Sequence, residues 1–154
     1  MKTIYIGIDP GASGGMAAIM PDGTAVAEKW TDETEILDEL NVIARNGERI
    51  QAAIEHVHAG IFAGKDGRMG AKSAFSFGRN VGIWHGILLA NGIPFRTVLP
   101  REWQKGIAGV NGRKGADLKR HWKAEACRRF PDTRPTLATC DALLIADWAR
   151  REGL

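Results

Sequence analysis

Three acidic residues stand where solvation alone would not put them. Asp9 closes the apolar, β-branched run "YIGID" and is followed at once by Pro10 and Gly11. Glu55 lies inside the apolar stretch "AAIEHV". Asp141 heads the stripe Asp141, Leu144, Ile145 and Trp148, whose i, i+3, i+4, i+7 spacing places all four on one face of a helix. A carboxylate at the head of a core-facing stripe is costly unless it is paired, hydrogen-bonded or bound to a cation. Any one of them alone reads as a turn or capping residue. If adjacent strands carry Asp9 and Glu55 and the last helix packs across them, three carboxylates converge on one edge of a sheet. Hard oxygen ligands of that kind suit Mg²⁺ or Mn²⁺.

The elements that must position these acids follow from hydrophobic period and turn chemistry. Residues 2–9 predict a strand buried on both faces and residues 14–20 a second. Pro21-Asp22-Gly23 makes a hairpin turn into a third strand over 24–30, so three antiparallel strands open the fold. Asp32 caps a helix running to about Asn46, with Ile36, Leu37, Leu40 and Ile43 at helical spacing, and residues 50–57 form a fourth strand. The glycine-rich stretch 58–70 reads as a loop, residues 73–90 as a helix and 94–99 as a short strand. The basic segment 101–129 reads as helix, glycine-containing turn, helix, and a last helix spans about 137–150, with Thr136 as its N-cap. This is mixed α/β in one domain covering 1–154.

The chain has 154 residues, 44% hydrophobic and 25% charged, enough for one domain with a real core. Neither a membrane span nor a signal-peptide pattern is present in the sequence, which predicts a cytoplasmic protein and no membrane partner. Cys127 and Cys140 lack metal-ligand spacing and read as reduced thiols in or near the core. Charge is uneven: residues 1–60 hold four Lys/Arg against ten Asp/Glu, while residues 96–129 hold ten against three. A charge run is by default a solvated face, but this asymmetry also fits a polyanionic partner.

The stretches "IGIDPGASGG", "AAIEHVHA", "SAFSFGRNVGIWHGIL", "IPFRTVLPREWQK" and "CDALLIADWARR", in that order, resemble the RuvC-type Holliday-junction resolvases of the ribonuclease H-like superfamily, most closely their short phage and prophage members. The resemblance implies a five-stranded mixed sheet flanked by helices, a homodimer, and metal-dependent cutting of four-way or other branched DNA. It places Asp9, Glu55 and Asp141 at the metal-binding positions. Two ions about 4 Å apart would activate water and stabilise the leaving 3′ oxygen, with Asp9 as the bridging ligand and 5′ phosphates on the products. One departure matters. The family usually carries a further acid or a histidine three or four residues before the helix aspartate, where this chain has Ala138 and Leu137.

The same resemblance puts Lys105, Lys114 and Lys119 in the region of lysines near the scissile phosphate, with Lys114 and Lys119 as catalytic candidates, while Arg113, Arg120 and Lys123 would hold the flanking backbone. Phe62, Phe75 and Phe77 are candidates for stacking on unpaired bases, against simple core packing for Phe77. Trp84 reads as core or dimer interface. His56 and His58 point away from Glu55 on a strand and are not expected to bind metal. Two other classes compete. An actin-like nucleotide-binding protein also opens with a strand, an acid and a glycine turn, but needs a second lobe that this length does not supply. A catalytically silent branched-DNA-binding protein would share the basic segment.

Overall fold

A computed structural model of the chain describes residues 2–45, 48–56 and 71–154. Strand β1 (Thr3–Asp9) is the centre of a five-stranded sheet. It pairs antiparallel with β2 (Gly15–Ile19), which pairs antiparallel with β3 (Ala25–Lys29). On its other side β1 runs parallel to β4 (Arg49–Glu55), and β4 runs parallel to β5 (Phe95–Val98). The spatial order is β3-β2-β1-β4-β5. The antiparallel opening expected from the hairpin turn is therefore present. The two parallel pairings each follow a crossover that includes a helix, as parallel neighbours require.

Those helices are α1 (Glu33–Ala44) and α2 (Ala71–Ala90). Asp32 caps α1 as the sequence predicts, its Oδ1 accepting from the Thr34 and Glu35 amides at 2.8 and 3.0 Å. Alternation along the strands divides the interior in two. Ile4, Ile6, Ile8, Ala52 and Ile54 face α1 and α2, where Trp84, fully buried, is a core residue. The opposite face carries Ala17, Ile19, Ala53 and Val98 beneath α4 (Gly115–Arg129) and α5 (Cys140–Glu152). Among the described residues no helix is long and apolar enough to cross a membrane.

Helix α5 lies unusually close to β1 because Gly7 lacks a side chain. A Cβ there would stand 2.1 Å from the Ala142 carbonyl oxygen and 2.3 Å from the Ala146 amide nitrogen. Two expectations need correction on this face. The last helix begins at Cys140, not near Leu137, and residues 137–139 form a turn. The Thr136 hydroxyl accepts from the Ala138 amide, and the Thr139 hydroxyl accepts from the Thr136 amide. These side-chain bonds compete with helical pairing. The helix expected at the start of the basic segment is one turn, α3 (Pro100–Trp103). It is followed by turns that hold Gly106, Gly109 and Gly112 at positive φ.

Candidate active site at the carboxyl end of β1 and β4

Ile8 and Ile54 are the last paired residues of β1 and β4, so Asp9 and Glu55 end two adjacent parallel strands side by side. Both share the side of the sheet that carries Gly7 and Ala53, the side covered by α5. Asp141 sits in the first turn of α5, where a negative charge is favoured by the helix dipole. Three acids that are 46 and 86 residues apart in sequence thus face one end of one layer.

Each acid is held by local structure. The Asp9 Oδ1 accepts from the Gly11 amide at 3.0 Å, and a Cβ on Gly14 would come within 2.8 Å of that same oxygen, so the tight turn after β1 is shaped around the carboxylate. Glu55 Oε1 accepts from the Trp103 indole Nε1–H at 2.9 Å. Lys119, on α4, donates from Nζ to Asp141 Oδ2 at 2.5 Å and stands 4.0 Å from Asp9 Oδ2. An open hollow of about 350 Å³ lies beside them, lined by Asp9, Gly11, Ser13, Gly14, Lys29, Lys119, Leu137 and Ala138.

Burial, then the charge of Asp141, raises the Asp9 pKa from its ordinary value, against the opposing pull of the Gly11 amide and Lys119. Burial and then the charge of Asp9 push Glu55 up to about 7. Burial pulls the Lys119 ammonium down, but the adjacent Asp141 outweighs it, so Lys119 titrates above its ordinary value. Negative charge has been gathered here beyond what one lysine answers. The donor set is all carboxylate oxygen, the chemistry that fits a hard divalent cation such as Mg²⁺. Among the described residues, however, no three His, Cys, Asp or Glu side chains form a group already arranged to hold a metal.

The other candidate residues fall into two groups. Lys119 meets the acids, whereas Lys114 is the exposed residue preceding α4. Lys105, Arg120 and Lys123 are exposed, and Arg113 is engaged locally with Asp117 at 2.9 Å and the Gly109 carbonyl at 2.8 Å. Phe75 is 75% exposed on α2 and Phe77 is half-buried. Phe62, His58 and the expected loop at 58–70 lie outside the described residues. His56 is exposed just past β4. Cys140 is buried, with its thiol pushed up to about 12 by burial and Asp141, and Cys127 is also a free thiol. Sequence reasoning missed Trp103; the apolar spacing of Trp103 and Ile107 beside a short strand is the only local signal for it.

No protein-family model and no curated protein matches the chain. Solved structures do. Thermus thermophilus RuvC superposes with a TM-score of 0.58 at 18% identity, covering 97% of this chain and 96% of that one. T. thermophilus RuvC in complex with Holliday junction substrate superposes with a TM-score of 0.56 at 17% identity, covering 98% and 96%. The chain shares the fold of T. thermophilus RuvC, a five-stranded mixed sheet flanked by helices.

Proposed function

We propose that this protein is a metal-dependent endonuclease that cuts four-way junctions and related branched DNA, with Asp9, Glu55 and Asp141 as its metal-binding acids. The observation that carries the reading is the convergence of these three acids and Lys119 at one end of the sheet, on a fold shared with RuvC. Divalent ions held by the acids would supply Lewis acidity to the phosphoryl group and to water. Asp9, which feels the charge of Asp141, acts on Glu55 and is anchored by Gly11, is the ligand proposed to be shared. Trp103 fixes the rotamer of Glu55. Lys119 contributes a flexible ammonium that can contact a phosphate oxygen, and the exposed Lys105, Lys114, Arg120 and Lys123 extend positive charge for the flanking backbone.

The protein acts as a homodimer in this reading, and α2 offers the seam. Asn80, Trp84, Ile87 and Leu88 are its buried side. On the opposite side lie Phe75, Gly78, Gly82, Gly86 and Leu89; a Cβ on any of the three glycines would meet open space, and Phe75 and Leu89 are 75% and 70% exposed. The spacing of the stripe is symmetric about Gly82, with the glycines four residues and the apolar side chains seven residues to either side. An antiparallel two-fold crossing at Gly82 sets Phe75 against Leu89 of the partner subunit, the self-complementarity that an isologous contact needs. Gly82→Leu should split the dimer in sedimentation analysis while leaving the helix at least as stable, since glycine inside a helix costs roughly 1 kcal/mol. A dimer that survives that change but loses junction distortion on Phe75→Ala would return Phe75 to base stacking.

Cleavage of a synthetic four-way junction in Mg²⁺ by the purified protein tests the main reading. Paired, symmetric nicks bearing 5′ phosphates are expected. Junction binding without nicks in Mg²⁺ or Mn²⁺ would instead establish a silent branched-DNA-binding protein.

A further inference from the structure

The Lys119 ammonium occupies the place where a cation is most needed. It reaches Asp141 Oδ2 at 2.5 Å and Asp9 Oδ2 at 4.0 Å, with its own side chain 32% exposed against 13% and 14% for the two acids. A divalent ion ligated by the same Oδ2 atoms would lie about 2.0–2.1 Å from them. At that separation it would meet the ammonium at close range as a like charge, so the two cations compete for one set of oxygens. Lysine can give way because its four-carbon stem is flexible, and the hollow beside Asp9, which Lys119 itself lines, provides the space. A DNA phosphate arriving in that hollow offers the ammonium an alternative anion.

We infer that Lys119 is an exchangeable counter-ion that partly offsets the charge of Asp9 and Asp141 in the free protein and yields them to metal when nucleic-acid phosphate draws it away. The inference rests on the nuclease reading, and it adds that metal loading is coupled to DNA. Bound DNA raises metal affinity, and bound metal raises DNA affinity by the same factor. The exchange guards the site, because a free protein that binds metal weakly does not cut DNA it has not engaged.

The test is Mn²⁺ binding, followed by electron paramagnetic resonance, on the full-length protein without DNA. Lys119→Met should bind Mn²⁺ roughly ten-fold more tightly than wild type, within the range of 5–150-fold expected for such couplings. Lys119→Arg, which keeps the charge, should stay close to wild type. A second arm uses Ca²⁺ calorimetry with a four-way junction. The junction should tighten Ca²⁺ binding to wild type and do so several-fold less for Lys119→Met. Thermal unfolding with and without Mn²⁺ guards against misfolding: the folded variant should gain more from Mn²⁺ than wild type does. Equal Mn²⁺ affinities for wild type and Lys119→Met would overturn the exchange and leave the nuclease reading standing. Absence of metal binding to either protein, with or without junction, would overturn both.

Discussion

Helices α4 and α5 meet at two clusters of charge that treat their acids in opposite ways. At one end, Asp9, Glu55 and Asp141 crowd together with Lys119 as their close cation, and Asp9 and Glu55 are both raised. Farther along, Asp147 is almost fully buried yet accepts from Arg129 and Arg150 at 2.7 and 2.8 Å, with Arg151 at 3.3 Å. Glu125 joins through Arg128 and Arg129 and is pulled down to about 2, chiefly by its hydrogen bond from Arg128. Burial of an acid therefore does not mark a site by itself. Acids outnumber their cations in the first cluster, which leaves it negative. Cations outnumber acids in the second, which is a brace between two helices.

The sharpest way to break this contrast is to neutralise one acid in each cluster. Asp9→Asn keeps the shape and removes the charge, so cleavage should fall by roughly 10³-fold or more, in line with the several kcal/mol that metal supplies to phosphoryl transfer. Junction binding should persist, slightly tighter because one repulsive charge is gone. Near-normal turnover in Mg²⁺ would remove Asp9 from the site. Asp147→Asn should do the reverse. It leaves the largely buried Arg129 and the exposed Arg150 and Arg151 without their shared anion and should cost about 2 kcal/mol of stability, while cleavage per folded molecule below the melting transition stays within about two-fold of wild type. Denaturant melts and single-turnover cleavage read the two effects separately.

Much of the first cluster was legible in the sequence, and almost none of the brace. Asp9, Glu55 and Asp141 stood out because each interrupts an apolar pattern whose period fixes its face. Asp147 interrupts the same kind of pattern six residues after Asp141, about 120° further round the helix. That rotation shows only that it faces elsewhere; its arginine partners come from α4 and from its own next turn, and Arg129 is 18 residues away. Lys119 was one of several basic residues in a charged segment. Its selection depends on the phase of α4, which is set by the burial of Trp122 and Ala126 and becomes certain only when they pack under α5. The helix start was misplaced because Thr136 is a good cap by type, whereas Thr136 and Thr139 spend their hydroxyls on the turn itself.

The clusters should also oppose each other along pH. Glu55 is raised to about 7 when folded, so between about 4.5 and 7 the native state holds a proton that the unfolded chain releases. Stability of metal-free protein should fall as pH rises through that window, by on the order of 1–3 kcal/mol. Glu125 is depressed to about 2, so its contribution is full above about 4.5 and is lost as pH falls toward 2. Melting curves in chelator from pH 3 to 8 should show Glu55→Gln flattening the upper decline and Glu125→Gln flattening the acid limb. A single variant that flattened both would mean that the clusters titrate as one.

The smallest effect concerns Ala138, one of the two positions where the sequence resemblance implied a further acid or a histidine. Ala138 lies in the turn before α5, three residues ahead of Asp141, and lines the hollow beside Asp9 and Lys119. It reaches that hollow from a turn, although the sequence suggested a helix there. The half-exposed side chain has room to grow outward, and its amide is already tied to Thr136. Ala138→Asp would add a carboxylate to a cluster already short of cations. In the metal-free protein that should cost some stability, because like charge is added where Asp9 is already raised. With metal the added oxygen becomes a ligand, so the Mg²⁺ concentration for half-maximal cleavage should fall by a few-fold, about 1 kcal/mol of added affinity. Junction affinity measured without metal should weaken slightly from the extra repulsion. Identical Mg²⁺ midpoints for two folded proteins would show that position 138 borders the hollow without reaching the acids, and that water and phosphate complete the metal shell in this chain.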